Sequence, residues 1–360
     1  MNSTLYQSTF AHRWFLLTLL LAVLYLIPTN LSAQQDPMFT KYMFNSLTFN
    51  PAYAGSTGFL SGNLLYREQW AGWGNRSSGN EAGGVDNGAP LTQTLTLHSP
   101  WKKRVGLGLS IVNDVIGARN TTGANLSYAY RISFGRGKLA LGVQGGAMYW
   151  RADWTKLSER DPADPVFQQM PTEWIPNFGA GIYYNSDFFY LGVSVPSLLT
   201  YELPVLGTRD QPTNTFAQTQ RHYYFTMGGA IPLTGPNLMF KPSLLIKSVG
   251  LLQDFTGDGT SITTTGAPLE FDIDLSLFFY ETLWVGASFR SALEQFFGNK
   301  SSYDSADVWV AYYLDNGLRI GAAYDYTLTD IQTYSNGSFE LMIGYEFDYD
   351  IKRVNTPRYF

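Results

Sequence analysis

The chain has 360 residues and a formal net charge of -5; only 15% of its residues are charged, whereas 16% are aromatic. So mild a charge argues against a nucleic-acid partner, and the lack of cysteine excludes disulfides, thiolate metal sites, cysteine nucleophiles and a lipid anchor on an N-terminal Cys. A mean hydropathy of -0.11 argues against a bundle of spanning helices, which needs several apolar runs of about 20 residues.

His12 and Arg13 precede an apolar core over residues 14–27, ended by Pro28, and Leu31-Ser32-Ala33 offers a small-residue exit. This is the pattern of a secretory signal peptide cleaved after Ala33. The expected organisation is a signal at 1–33, an N-terminal lead at 34–56, a single body at 57–348 and a tail at 349–360.

The lead does not alternate cleanly. Asp36-Pro37 marks a turn, and Phe39, Tyr42 and Met43 have the spacing of one apolar face of a short helix. Asn50-Pro51 disfavours helix at Asn50. So many aromatics must pack against something, because that much apolar surface left in water is a liability.

Beyond the lead, alternation recurs to the end of the chain. Phe339, Leu341, Ile343 and Tyr345 alternate with Glu340, Gly344 and Glu346, and Leu126, Tyr128, Tyr130 and Ile132 with Asn125, Ser127 and Arg131. Period two with one apolar face is the half-buried strand signature. About fourteen such runs fall near 58–70, 91–98, 105–115, 121–133, 138–150, 177–185, 188–195, 222–230, 238–247, 269–279, 282–290, 305–313, 317–325 and 338–347. Most have the roughly 9–11 residues that a tilted strand needs to cross a bilayer.

The connections alternate too. Long ones at 72–90, 151–176, 197–221, 248–268, 291–304 and 326–337 interleave with short ones at 99–104, 134–137, 186–187, 231–237, 280–281 and 314–316; the exception is 116–120, short where a long one is expected. Short turns on one side and long loops on the other are the pattern of an outer-membrane barrel. The expected fold is therefore all-β: a single transmembrane antiparallel β-barrel of about 14 strands, with the lead packed at or in its periplasmic mouth. Strand-end aromatics, among them Trp70, Trp101, Trp150, Trp154, Tyr183, Phe188, Tyr190, Phe278, Tyr280 and Trp284, are expected to form two interfacial girdles.

The sequence offers little chemistry. After cleavage only His98 and His222 remain, each alone, so no metal site is expected. His98 and Ser99 point to opposite faces of a strand and do not make a catalytic pair. DFTGDG at 254–259 lacks the far acidic residue of a calcium loop. No cofactor is expected. Glu270, Asp272, Asp274, Glu340, Glu346, Lys241, Lys247, Arg290 and Arg319 lie opposite the apolar faces and are expected to form ion pairs across a plugged lumen.

QQDPMFTKYMFN at 34–45 and NPAYAGS at 50–56 resemble the opening of the PorP/SprF family. Tyr66-Arg67-Glu68-Gln69-Trp70 resembles its YRxQW, Asn87-Gly88-Ala89-Pro90 its xGAP, and LGLSIVNDVIG at 107–117 its NDxIG block. FGAGIYY at 178–184, YLGVSVPSLL at 190–199, RHYY at 221–224 and the terminal TPRYF at 356–360 are similar to later blocks, although residues 75–86 lengthen the first long loop. The resemblance spans essentially the whole mature chain and marks Asp36, Pro37, Phe39, Tyr42, Met43, Asn50, Pro51, Tyr53, Gly55, Arg67, Gln69 and Trp70 as motif and packing candidates.

It implies a non-enzymatic outer-membrane barrel of the type IX secretion and gliding motility machinery of Bacteroidetes. The implied partners are outer-membrane lipid, a periplasmic ring or peptidoglycan-binding lipoprotein, and a secreted surface protein such as a large adhesin. The competing reading of the residues is a passive or ligand-specific channel of porin or FadL type.

Overall fold

Alternation dictates where each strand turns its faces, and the computed structural model follows it. It describes residues 39–73, 88–153, 172–204, 215–235, 237–249, 269–292 and 303–347. The strands are β1 (Ser61–Glu68), β2 (Leu91–Lys102), β3 (Val105–Ile116), β4 (Arg119–Phe134), β5 (Gly137–Ala152), β6 (Thr172–Asn185), β7 (Phe189–Val195), β8 (Glu202–Pro204), β9 (Thr215–Gln218), β10 (His222–Gly229), β11 (Ile231–Pro232), β12 (Leu238–Val249), β13 (Glu270–Phe279), β14 (Leu283–Ala292), β15 (Tyr303–Tyr313), β16 (Leu318–Thr327) and β17 (Ser338–Glu346).

Fourteen of them pair antiparallel in a ring. β1 through β7 run in sequence to β10, β12 through β17 complete the circuit, and the β1–β17 and β10–β12 pairings close it. β8 and β9 form a separate hairpin, and β11 is a two-residue appendage of β12. All the strands of the ring coincide with the runs read from alternation. Closure removes every free edge, as hydrocarbon surroundings require. Among the described residues no helix is long and apolar enough to cross a membrane.

The faces divide as the pattern demands. On β17, Leu341 and Ile343 are 57% and 50% exposed on the outer wall, while Glu340 is 1% exposed inside. On β4, Leu126, Tyr128, Tyr130 and Ile132 face out, and Ser127, Ala129 and Arg131 face in.

Two expectations needed correction. The wall is uneven: β4 and β5 have 16 residues each and β6 has 14, against 7 in β7. At ~3.3 Å per residue the longest strands run about 50 Å and, even tilted, rise beyond the ~30 Å hydrocarbon core. The cause is the short connection at 116–120. It is a tight hairpin in which Gly117 takes φ +56° and Ile116 pairs with Arg119, so the ladder continues to the tip. The aromatic girdles are also fewer than expected. Trp150, Tyr183, Tyr190, Phe278 and Trp284 are buried in the interior, whereas Trp101, Phe188 and Tyr280 stay exposed. Trp154 lies outside the described residues. Strand parity decides the matter: Tyr183 sits between outward Ile182 and Tyr184, so it must point inward.

Candidate functional site: a plugged lumen

The lead occupies the barrel interior from the short-turn end to the long-loop end. Phe39 lies towards the long-loop end, where its carbonyl accepts from Arg290, two residues from the end of β14. Gly55 lies at the opposite end, against Pro100 and Gly106 beside the β2–β3 turn. Between them the chain makes a 3-10 turn (Tyr42–Asn45), one helical turn (Ser46–Phe49) and a second 3-10 turn (Pro51–Tyr53).

The helix expected to hold Phe39, Tyr42 and Met43 on one face does not form at Phe39. The amides of Thr40 and Lys41, which would enter it, instead donate to the two oxygens of Glu340 at 2.7 and 3.0 Å. Asn50 is extended, as its Pro neighbour requires, with φ -134° and ψ 109°.

Aromatic packing fixes much of the lead. Phe39 meets Phe49 edge-on at 5.4 Å, and Phe49 meets Tyr224 at 5.0 Å. The Tyr42 hydroxyl donates to Ser243 at 2.8 Å, and Met43 packs half-buried against the same cluster. Tyr53 stands between His98 and Tyr183, at 5.2 and 5.3 Å. Asn50 donates to the Ile182 carbonyl at 3.0 Å and accepts from the Ala52 amide at 2.9 Å. Buried Pro51 starts the last turn.

Close backbone approach fixes the rest. A Cβ on Gly106 would fall on the Ala54 carbonyl, and one on Gly142 would fall on the backbone of Pro51 and Ala52. Gly55 takes φ +69° and donates its amide to His98 Nδ1 at 3.3 Å. His98 is thereby part of the seat of the lead.

Charge supplies the lock. The Lys41 ammonium pairs with Asp274 at 3.1 Å and Asp307 at 2.5 Å, and it also donates to Ser288. Arg67 on β1 pairs with Asp325 at 3.0 Å and Glu340 at 3.6 Å, and donates to the Thr40 hydroxyl. Arg290 pairs with Asp272 at 2.8 Å while holding the Phe39 carbonyl at 2.9 Å. Burial alone would lower the Lys41 pKa, but Asp274 and Asp307 outweigh it and raise it above the ordinary 10.5, so the lysine is charged at neutral pH.

The ionic residues read from the strands thus face the lumen, and several pair there; Lys247 also meets Glu270 at 3.5 Å, and Arg319 meets Glu346 at 3.6 Å. Of the remaining candidates, Gln69 donates its backbone N–H to the Pro90 carbonyl, and Trp70 at φ 54° packs on Trp73 at the long-loop end. Asp36, Pro37, the bond after Ala33 and the 254–259 loop lie outside the described residues. The sequence reading missed Lys41, Asp307 and Asp325. Lys41 carried a signal, being the only charged residue between 38 and 60.

A closed ring with an apolar outer wall, a charged interior and an internal plug defines an integral protein of the outer membrane. The sequence profile of the family described as "Type IX secretion system membrane protein PorP/SprF" matches residues 31–345, and the chain belongs to that family. No curated protein matches the sequence. Among solved structures the chain is similar to the CymD monoaromatic hydrocarbon channel, at 11% identity and a TM-score of 0.49, covering 84% of this chain and 92% of that one. It is also similar to the outer membrane protein Omp33 of Acinetobacter baumannii, at 10% identity and a TM-score of 0.40, covering 81% and 98%.

Proposed function

We propose that this barrel is a non-enzymatic partner protein of the type IX secretion and gliding machinery. Its short-turn end faces the periplasm and docks a ring or peptidoglycan-binding component. Its long loops support the secretion or surface attachment of an exported protein such as a large adhesin. Residues 1–33 serve as the signal peptide, and 34–56 are retained as the plug.

The observation that carries this reading is the occupied lumen. Lys41, Thr40 and Phe39 are locked to Asp274, Asp307, Glu340 and Arg290, which disfavours a passive channel. The test is deletion of the gene in its native host, followed by antibody labelling of the cognate secreted protein on intact cells. Surface labelling should be lost and return with the restored gene; unchanged labelling overturns the reading.

A further inference from the structure

Charge is divided unevenly around the short-turn end. The β2–β3 turn carries Lys102, Lys103 and Arg104, and the neighbouring turn between β4 and β5 adds Arg136 and Lys138. All five are exposed, and among the described residues none of them meets a carboxylate in an ion pair. The other short turns carry Asp187, Glu281 and Asp315 and, among the described residues, no base. The two basic turns stand two strand spacings apart laterally, roughly 10 Å. Positive charges that close repel one another, and an anion among them lowers that energy.

Two of the five cationic heads lie on the outer wall. Lys102 pairs with Val105, Val105 with Tyr130, and Tyr130 with Leu141. Residues opposite one another in a ladder share a face, and Tyr130 and Leu141 are exposed on the outside of the ring. The Lys102 ammonium stands 5.1 Å from the centre of the exposed Trp101 ring. Arg104 Nη1 donates to the Tyr130 hydroxyl at 3.5 Å.

The level of these groups follows from the wall itself. The outer face of β4 is apolar from Ala124 to Phe134. Those ten residue steps make about 25 Å of height at the usual tilt, the full apolar band of such a barrel. Phe134 therefore marks the lower margin of the hydrocarbon, and the basic turns fall at headgroup depth, where aromatic rings gather. An acidic protein surface would reach the charges from the water below and gain nothing from the apolar rows beside them. A phospholipid uses both.

We propose that this sector of the rim binds an anionic phospholipid of the periplasmic leaflet. Its phosphate accepts from Arg104 and Lys102, Arg136 and Lys138 add positive charge beneath the headgroup, and its acyl chains lie along Leu107, Tyr130 and Ile132. The site rests on the reading above only in that the short-turn end faces the periplasm.

The test is native mass spectrometry of the purified full chain in detergent, titrated with dioleoyl phosphatidylglycerol or dioleoyl phosphatidylethanolamine. A basic residue near an anionic headgroup is worth about fivefold in binding. Phosphatidylglycerol should therefore bind at least tenfold tighter than phosphatidylethanolamine. Lys102→Gln combined with Arg104→Gln should bring the two lipids to within about twofold, and Arg136→Gln combined with Lys138→Gln should weaken phosphatidylglycerol severalfold. Arg151→Gln, which removes an exposed base at the long-loop end, should leave the preference intact. Equal binding of the two lipids, a preference that survives the Lys102 and Arg104 changes, or one that Arg151→Gln also erases overturns the proposal. If the first double variant loses the heat-dependent gel shift of a folded barrel, the Arg136 and Lys138 variant decides, and an unchanged preference overturns the proposal. Binding of acetyl-hexaglutamate-amide through the same residues, without a lipid preference, assigns the rim to an acidic protein and overturns it too. Absence of a lipid preference together with lost surface labelling in the gene deletion rejects the lipid site and leaves the secretion role standing.

Discussion

Lys41 is the residue on which the plug turns. It brings one positive charge to Asp274 and Asp307, both buried in the wall. Removing one partner of such a set leaves uncompensated charge at low dielectric, which costs about 3–5 kcal/mol. Lys41→Met is therefore expected to lower the urea midpoint of the purified barrel by that equivalent, with Lys41→Arg retaining more of it. An unchanged midpoint would show that the pair contributes nothing net. The pH dependence has a defined sign. A lysine whose folded pKa is raised stabilises fully below its unfolded value and loses that contribution as pH climbs through the folded value. The Lys41 contribution should therefore be constant through neutral pH and fade only above 10.5; loss near neutrality, followed by tryptophan fluorescence, contradicts it.

At the scale of elements, the strands were legible because a two-residue period survives any register. Leu341 and Ile343 must leave by one face if Glu340 leaves by the other. The lead was less legible. Its aromatics are buried on all sides, so no single helical face exists to be read, and Glu340, some 300 residues away, takes the amides of Thr40 and Lys41. The aromatics at strand ends misled because composition at an end does not give parity; Trp284 has to be counted against outward Leu283 to be placed inside. The β-carbon missing at Gly142 makes room for Pro51 and Ala52. Gly142→Leu should push the lead from its seat, at about 1–3 kcal/mol for overpacking or more. The temperature at which the folded band disappears on a gel should fall while far-ultraviolet circular dichroism still reports strands; an unshifted temperature would mean the lead yields without penalty.

For the molecule as a whole, ring and plug behave as one object. The purified chain in planar bilayers should pass little steady current. Replacing residues 39–55 by a Gly-Ser linker should open a stable conductance, because the lead that packs through the ring from Phe39 to Gly55 would be gone. A large current from the unaltered chain would contradict a sealed lumen.

The position of Glu340 has a consequence for biogenesis. It lies on β17, the strand that meets β1 to complete the circle, and its carboxylate holds the first two amides of the docked lead after Phe39. The seam therefore cannot zip with those amides satisfied unless the beginning of the chain already waits inside for its end. Birth order along the polypeptide is reversed in the finished object: Thr40 and Lys41 are secured by Glu340, made some 300 residues later, and a truncation that spares everything before β17 would release both the wall and its contents.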